Sequence, residues 1–598
     1  MKREFKNHVF LWKLCFKTCP GYMIYFLYDA FRYQIIIFLE HVLGIRYVLR
    51  CAEFNEPFWK VLLAIGAILL LNMIQIIPDG FFIHSWSFKN KPKIYKALKE
   101  QMFKKAAELD LNCYDDPKYY NDFVLSVSES EASIDRFLLL CNQTVQGLTI
   151  LFSTGVFYLM TDPIGIVFIF VSFIMRFVLA KGVNKINYDV RLKVNPLERK
   201  RNYVSRVFYL RDFAKELRLH PNARDQLEKE FAVANDEIYD ENKKVGKKRT
   251  GLSFLRNYVF SDFLTDGLYI AYLVYKAAVL HTITYSDAVI LFNRTGSMRR
   301  GMSSIADIAP KAHENSLYID KIRSFLAYEP KLERDEGNPV PEEAGDLVLD
   351  HVSFKYSDKA KETLHDINLR VKPGEHIAIV GYNGAGKTTL VKLLMRLYDP
   401  SKGTISYHGQ DVKTFKPREY RKRFGVVFQD FQMYGASLAE NVVLDKLPPA
   451  PTRDQKLEIT SALESAGFGE RLNKLPSGLN TQVTTEFDKK GVDFSGGESQ
   501  KIAISRAFYK KADILIMDEP SSALDPIAEY ELNKAMKKAA KGKTVFYISH
   551  RLSTIKDADR ILMLEKGRII EEGTHAGLLA KNGKYAQMWK LQAGKYKA

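Results

Sequence analysis

The sequence predicts a multi-domain membrane protein: a six-helix all-α membrane domain followed by an α/β domain with a largely parallel sheet. Two observations lead to this prediction. The first 310 or so residues contain long apolar runs at regular intervals, whereas short apolar strands alternate with helical stretches after residue 346. A chain of 598 residues also exceeds what one hydrophobic core can serve. The average composition, 46% hydrophobic, conceals this division.

Three apolar runs are close to the 20 residues that a membrane-spanning helix needs: residues 61–77, 137–160 and 164–179. Three weaker runs, at 21–48, 254–280 and 288–310, contain charged side chains such as Asp29, Arg32, Asp262, Asp266 and Arg294. Ionisable groups inside a span indicate a polar bundle interior or a cavity, although residues near helix ends can also extend to the interface. Together the runs predict six spans within residues 21–312.

The charges of the connecting segments predict the orientation. The short connections at 51–57, 161–163 and 281–287 contain no Lys or Arg, whereas the long segments at about 85–135 and 181–250 are rich in both. Positive loops stay in the cytoplasm, so we expect both termini on the cytoplasmic side of the cell membrane. Residues 1–20 have the pattern of an interfacial helix, with an ordinary solvated helix as the alternative.

The placement of the net charge of +18 and the spacing of the five cysteines argue against a nucleic-acid-binding protein, a disulfide-rich protein and a zinc-binding protein. The positive charge lies beside the apolar runs, which favours contact with the lipid bilayer over binding to nucleic acid. The cysteines lack disulfide-framework or zinc spacing.

Residues 313–345 are expected to be a linker, with residues 346–598 forming the α/β domain.

The sequence GYNGAGKT, from Gly381 to Thr388, directly follows a short apolar strand and precedes a helical stretch. This is the pattern and context of a phosphate-binding loop, in which backbone N–H groups cradle phosphates. Lys387 is expected to neutralise the β- and γ-phosphates, and Thr388 to coordinate Mg²⁺. The second half of an ATP site is expected at Asp518 and Glu519, which end an apolar strand. Asp518 is suited to hold Mg²⁺, and Glu519 to polarise the attacking water.

Between these motifs lies Phe494-Ser495-Gly496-Gly497-Glu498, and here the chain resembles the ATP-binding-cassette (ABC) family, specifically its bacterial half-transporter exporters. The family signature is L-S-G-G-Q, so Phe494 and Glu498 are departures. The resemblance implies an ATPase coupled to transmembrane transport, with ATP and Mg²⁺ as cofactors. The nucleotide-contacting residues that it implies are Tyr356, Gly381, Asn383, Gly384, Ala385, Gly386, Lys387, Thr388, Thr389, Ser495, Gly496, Gly497 and Asp525.

The same resemblance assigns catalytic roles to Glu519, His550 and Gln429, and Mg²⁺ ligation to Thr388, Gln429 and Asp518. It also implies that segments beginning at Tyr114 and Ala214 lie in two cytoplasmic loops that dock onto nucleotide domains. The signature of one subunit completes the ATP site of the other, so a second half-transporter is the expected partner. We expect a homodimer, because Lys387, Asp518, Glu519 and His550 are all present. The alternative is a heterodimer in which the altered signature faces an impaired site.

The expected function is ATP-driven export by alternating access, with a peptide, a drug-like compound or another amphipathic molecule as cargo. A lipid or lipid-linked flippase is the alternative, and a gated channel is a further one. DNA-maintenance ATPases share a signature motif, but they lack apolar membrane spans.

Overall fold

The computed structural model describes residues 2–334, 336–357, 360–448, 451–520, 526–549 and 555–594. The chain divides into two compact units. The first comprises residues 1–103 and 122–327, and the second comprises residues 104–121 and 328–598. The second unit is therefore discontinuous in sequence, which the predicted domain boundaries did not anticipate.

Six long helical runs, which we call spans 1 to 6, account for most of the membrane half. Their apolar residues continue for many turns without the Gly and Pro clusters that end helices. Span 1 comprises Pro20–Phe38, the π-helical Leu39–Gly44 and Ile45–Glu53; span 2 comprises Phe58–Phe81, the π-helical Phe82–Ser87 and Phe88–Ala107; span 3 is Ser130–Thr161; span 4 is Pro163–Tyr209; span 5 comprises Pro221–Phe254, the π-helical Leu255–Leu268 and Tyr269–Ala278; span 6 is Tyr285–Leu326.

Shorter helices complete this half of the sequence: Lys2–Thr18, Asn112–Asp115, Pro117–Ser128 and Ala214–Leu219. The N-terminal helix Lys2–Thr18 contacts span 6, since Asn7 donates to the Ser316 carbonyl at 3.0 Å and Arg3 pairs with Asp320.

The helices of spans 2, 3 and 4 include stretches long and apolar enough, by length and composition, to cross a membrane: Phe58–Ala107, Ser130–Thr161 and Pro163–Arg191. The other three predicted spans are also helical, but they carry the charged residues noted above. Span 4 has 47 residues, a length of about 70 Å at 1.5 Å per residue. Because a bilayer core is only about 30 Å thick, part of this helix extends beyond it, as the charged segment at 181–250 predicts.

Span 6 continues to Leu326, so the range predicted as a linker begins as the end of this helix. The next segment is fixed within the second unit by Asp110. Its carboxylate accepts from the Tyr328 hydroxyl at 2.8 Å and from the backbone N–H groups of Lys331, Leu332 and Glu333 at 2.8–3.0 Å. Leu111 packs against the core of the α/β domain.

The α/β domain contains two sheets. The strands are β1 Leu347–Phe354, β2 Leu364–Val371, β3 His376–Gly381, β4 Lys402–Tyr407, β5 Gln410–Asp411, β6 Phe424–Val427, β7 Ile514–Asp518, β8 Thr544–Ile548, β9 Arg560–Glu565 and β10 Arg568–Gly573. The smaller sheet is antiparallel, in the order β2-β1-β4-β5. The larger sheet has the order β10-β9-β3-β8-β7-β6, and all its pairs are parallel except β10–β9.

The helices of this domain are Lys387–Leu394, Pro417–Lys422, Leu438–Val443, Arg453–Ser465, Gly469–Asn473, Gly496–Tyr509, Pro526–Ala539, His575–Ala580 and Lys584–Gly594. In the larger sheet, β3 and β7 flank β8, so the carboxyl ends of these three parallel strands lie side by side. Ligands of α/β proteins bind at this edge of a parallel sheet. The fold therefore brings the phosphate-loop motif after β3 next to the acidic pair at the end of β7.

Candidate functional site

A cavity of about 270 Å³ lies at the carboxyl ends of β3, β7 and β8. Most of the predicted ATP-site residues line it: Asn383, Gly384, Ala385, Gly386, Lys387, Thr388, Thr389, Gln429, Asp518 and Glu519. Thr363 and Ile548 also line it, and the sequence motifs gave no reason to include them. Two motifs more than 120 residues apart in sequence thus form one site.

The phosphate-binding loop is held in shape by its own lysine. The Lys387 ammonium group is buried and donates to the carbonyl oxygens of Gly381 at 2.9 Å and Tyr382 at 3.0 Å. Gly386 has a φ of +101°, and a Cβ atom there would lie 2.7 Å from the Leu364 side chain. Only glycine fits both that conformation and that space. These contacts fix the shape of the phosphate-binding loop. Its backbone N–H groups lie just before the N-terminus of the helix Lys387–Leu394.

The acidic residues lie opposite this loop. The Asp518 side chain is 4% exposed, and its Oδ2 atom accepts from the Thr388 hydroxyl at 3.4 Å. A hydroxyl and a carboxylate at this separation form an oxygen donor set of the kind that Mg²⁺ prefers, with water completing its coordination. The residues present therefore fit the magnesium ion that the motif implies.

Glu519 is held in an uncommon backbone conformation, with a φ of +47°. Its N–H donates to the Ile548 carbonyl at 2.9 Å, and its carbonyl accepts from the Gln500 side chain at 3.4 Å. Non-glycine residues with positive φ persist where surrounding contacts fix them, often at functional sites. Hydrogen bonds to β8 and to the helix Gly496–Tyr509 thus fix the backbone at Glu519.

Burial changes the acidity of two groups in this cavity. It lowers the pKa of the Lys387 ammonium group, an effect that the carboxylates of Glu519 and Asp518 oppose. Burial, and then the neighbouring Glu519 carboxylate, raise the pKa of Asp518 to about 6. Without a bound cation, Asp518 is consequently protonated in a fraction of the protein molecules at mildly acidic pH.

This raised pKa predicts a pH dependence of Mg-ATP binding. A proton on Asp518 competes with Mg²⁺, so the affinity falls as the pH drops through 6. For a single such group, the Kd rises about fourfold between pH 7.5 and pH 5.5. Equilibrium binding of a fluorescent ATP analogue across this range measures it. In the Asp518→Asn control only the titration of the nucleotide remains, and an equally steep profile there would contradict the assignment.

Tyr356 lies beside the phosphate-loop helix. Its hydroxyl is 2.9 Å from the Thr389 hydroxyl, and its ring packs edge-on against Phe354 and Tyr398. Tyr398 in turn donates to Asp115 of the short helix Asn112–Asp115 at 2.6 Å. This helix, which the sequence predicts to dock onto a nucleotide domain, belongs to the same compact unit as the cavity.

The signature residues are not among those that line the cavity in the described part of the chain. Ser495 is the N-cap of the helix Gly496–Tyr509: its side chain accepts from the Glu498 N–H, while the Glu498 side chain accepts from the Ser495 N–H at 2.8 Å. This reciprocal arrangement is a capping box, which the spacing S-x-x-E could have revealed. Glu498 also pairs with Arg471 at 2.8 Å.

Both departures from the family signature thus have a structural role. The half-buried Phe494 ring packs against Phe468, with ring centroids 5.6 Å apart. A large apolar residue in place of leucine preserves that contact with the core. The charge of Glu498, which the sequence places near an anionic ligand, is offset by the guanidinium group of Arg471.

We therefore expect Glu498→Gln to retain near wild-type ATPase activity, because glutamine also forms a capping box and the partly exposed ion pair contributes little. Glu498→Ala removes the cap and should lower the free energy of unfolding by about 1 kcal/mol. Thermal denaturation and phosphate release of both variants test this. A severalfold rise in the ATPase activity of Glu498→Gln would instead indicate that this charge opposes the nucleotide.

Two predicted site residues, Asp525 and His550, lie outside the described residues. All other predicted positions are described, and their geometry is given above.

Comparison with known proteins agrees with the sequence and the fold. Residues 364–522 match the protein family described as "ABC transporter". Over 267 residues the chain is 40% identical to an "ATP-dependent lipid A-core flippase" of Cupriavidus metallidurans, covering 45% of this chain and 44% of that protein. A protein of the same description from Burkholderia orbicola is 33% identical over 373 residues, with 60% of each covered. The matches thus span about half the length of these curated relatives.

A solved structure extends the comparison to the whole fold. The chain resembles the "Structure of a bacterial Atm1-family ABC exporter with ATP bound" with a TM-score of 0.76, covering 96% of this chain and 99% of that one at 23% identity. The predicted fold class, a helical membrane domain joined to an α/β nucleotide-binding domain, is confirmed. The chain thus contains an ABC transporter domain at residues 364–522, and along nearly its whole length it shares the fold of this solved structure.

Proposed function

We propose that this chain is one half of a dimeric exporter that uses ATP hydrolysis to move a substrate across the cell membrane. The observation that carries the proposal is the convergence of Lys387, Thr388, Asp518 and Glu519 in one cavity. This cavity belongs to a chain with three helices long and apolar enough to cross a bilayer, one of which is 47 residues long and continues beyond it. The charge distribution of the loops supports cytoplasmic termini.

The residues of the cavity suit separate tasks. Thr388, Asp518 and Gln429 would hold Mg²⁺, which would supply charge neutralisation at the phosphates. Lys387 exchanges its two loop carbonyls for phosphate oxygens, while the N–H groups at Asn383 to Thr389 orient them. Glu519 accepts hydrogen bonds from the attacking water and takes its proton. Tyr356 faces the adenine, and His550 contacts the γ-phosphate by family resemblance.

The partner is proposed to be a second copy of this chain. Ser495 is exposed at the start of its helix, as are the N–H groups near Gly496, and such a helix end attracts phosphate. Because these residues do not line the cavity of their own chain, we infer that they contact the nucleotide of the partner subunit. Asp525 is proposed to join this interface. The pairing of Glu498 with Arg471 favours two equivalent sites over a heterodimer with one impaired site.

For the cargo, we infer an amphipathic lipid-like molecule in preference to a peptide or a drug-like compound. The support is the description of the relatives as lipid A-core flippases, which concerns those proteins. The lipid alternative from the sequence therefore agrees better with the comparisons than the peptide reading does.

The purified full chain in lipid nanodiscs tests this proposal. We expect a particle containing two copies, ATPase activity that requires Mg²⁺, and ATP-dependent translocation of a fluorescent lipid in proteoliposomes. A chain that remains monomeric and inactive until a second gene product is added would overturn the homodimer. ATP-independent ion currents without turnover would overturn export and favour the channel.

A further inference from the structure

A cavity of about 590 Å³ lies within the first compact unit, between spans 1, 3 and 6. Its polar lining includes His41 from span 1, Gln146 from span 3, and Asn293, Arg294, Ser297 and Arg300 from span 6. A cavity that combines apolar walls with a few convergent polar groups has the character of a ligand site.

Arg294 is the most deeply enclosed cation of this lining, with only 7% of its surface exposed. Its Nε atom has no hydrogen-bond partner among the described residues. One terminal nitrogen of the guanidinium group donates to the Ser297 hydroxyl at 3.3 Å. A buried guanidinium group with an unused donor costs free energy unless an acceptor reaches it. A ligand that supplies an acceptor to the Nε atom would therefore be stabilised in this cavity.

The Ser297 hydroxyl accepts hydrogen bonds from two positively charged side chains. Arg300 also donates to it, at 3.0 Å, so one neutral oxygen accepts from two guanidinium groups. Because both bonds use the lone pairs of this oxygen, its proton remains available to a third group. Two like charges held this close repel each other unless an anion lies between or beside them.

No carboxylate lines this cavity in the described part of the chain. Glu40 interacts electrostatically with Arg294, but no ion pair within 4 Å joins them among the described side chains. Two other arginines of spans 1 to 6 have such partners: Arg32 pairs with Asp29 and Asp79, and Arg46 pairs with Asp287. Arg294 and Arg300 thus differ from Arg32 and Arg46 in lacking a carboxylate contact within the described part of the chain.

We propose that Arg294, Arg300 and Ser297 bind a phosphate group of the transported molecule. Guanidinium groups match the paired oxygens of phosphate, and the serine proton supplies a further hydrogen bond. Gln146 and Asn293 are placed to bind adjoining hydroxyl or amide groups. The site rests on the proposed function in assuming that the ligand is cargo, and it names the chemistry of that cargo.

Direct lipid binding tests this site without ATP hydrolysis. The full chain is reconstituted in phosphatidylcholine nanodiscs, and binding of phosphatidic acid is measured by native mass spectrometry beside diacylglycerol, which has the same tails without the phosphate. We expect a clear preference for phosphatidic acid. Arg294→Gln and Arg300→Gln should each weaken its binding at least tenfold, whereas the charge-matched control Lys247→Gln on the exposed surface of span 5 should not. Arg294→Lys should retain part of the affinity.

Competition by glycerol 3-phosphate separates two sources of the phosphate. Displacement at micromolar concentrations assigns the site to a soluble phosphate compound, and its failure assigns it to a lipid headgroup. Equal binding of diacylglycerol, or phosphatidic acid binding unchanged in both glutamine variants, overturns the site. If Arg294→Gln does not fold, Arg300→Gln, whose residue is exposed, decides alone. If the wild-type chain has no Mg-ATPase activity, the proposed exporter function is overturned, but the phosphate-binding result still holds.

Discussion

Glu519→Gln is expected to bind Mg-ATP with near wild-type affinity and to hydrolyse it by about two to four orders of magnitude more slowly. The amide keeps the shape of the carboxylate but cannot take a proton from water. The backbone of residue 519, fixed by its bonds to Ile548 and Gln500, should be unchanged by the substitution. The effect should therefore fall on the chemical step alone.

Phosphate release and nucleotide binding, measured on the same preparation, separate the two effects. In the proposed dimer, the variant should accumulate in an ATP-bound closed form that size-exclusion chromatography of the detergent-solubilised protein or cross-linking detects. Glu458→Gln provides a matched control, since it removes an equivalent charge from a surface pair with Lys511. Hydrolysis by Glu519→Gln at near the wild-type rate would place the base elsewhere.

Lys387→Ala is expected to weaken nucleotide binding by roughly ten- to a hundredfold, equivalent to about 1.5–3 kcal/mol for a lost charge-assisted contact. Two effects contribute, because the ammonium group both faces the phosphates and holds the loop through the Gly381 and Tyr382 carbonyls. Transport should be lost as a consequence of weakened binding.

Lys387→Met distinguishes these contributions, since it fills the same space without charge. Comparing the thermal stability of both variants without nucleotide reveals the structural share, and titration with an ATP analogue gives the affinity. Unchanged affinity with full turnover in both variants would show that the phosphate loop is assigned wrongly.

The order of elements and most of the residues lining the candidate site could be predicted from the sequence. The motifs at Lys387 and Asp518 carry their own context, a strand followed by a loop, and the parallel sheet brings strand ends together. All six predicted spans are helical, and three of them are long and apolar enough to cross a membrane, because apolar length is a strong signal in the sequence.

What the sequence did not reveal depends on contacts between distant residues. Neither the pairing of Glu498 with Arg471 nor the left-handed backbone at Glu519 follows from local composition. The cavity at Arg294 has the same origin: a lone arginine in a weak span could extend to the interface or face a cavity, and only the packing of spans 1, 3 and 6 distinguishes these. The predicted linker began at residue 313, but the helix of span 6 continues through Pro310 to Leu326.

The discontinuity of the second compact unit has a consequence for biosynthesis. Asp110 and Leu111 emerge from the ribosome more than 200 residues before the linker and sheet that they contact. At typical rates of 5–20 residues per second, this segment waits roughly 10–40 s for its partners. The α/β domain therefore cannot complete its native packing from its own continuous stretch of chain. Its last contacts form only when residues 104–121, made early in translation, are still accessible to a domain made late.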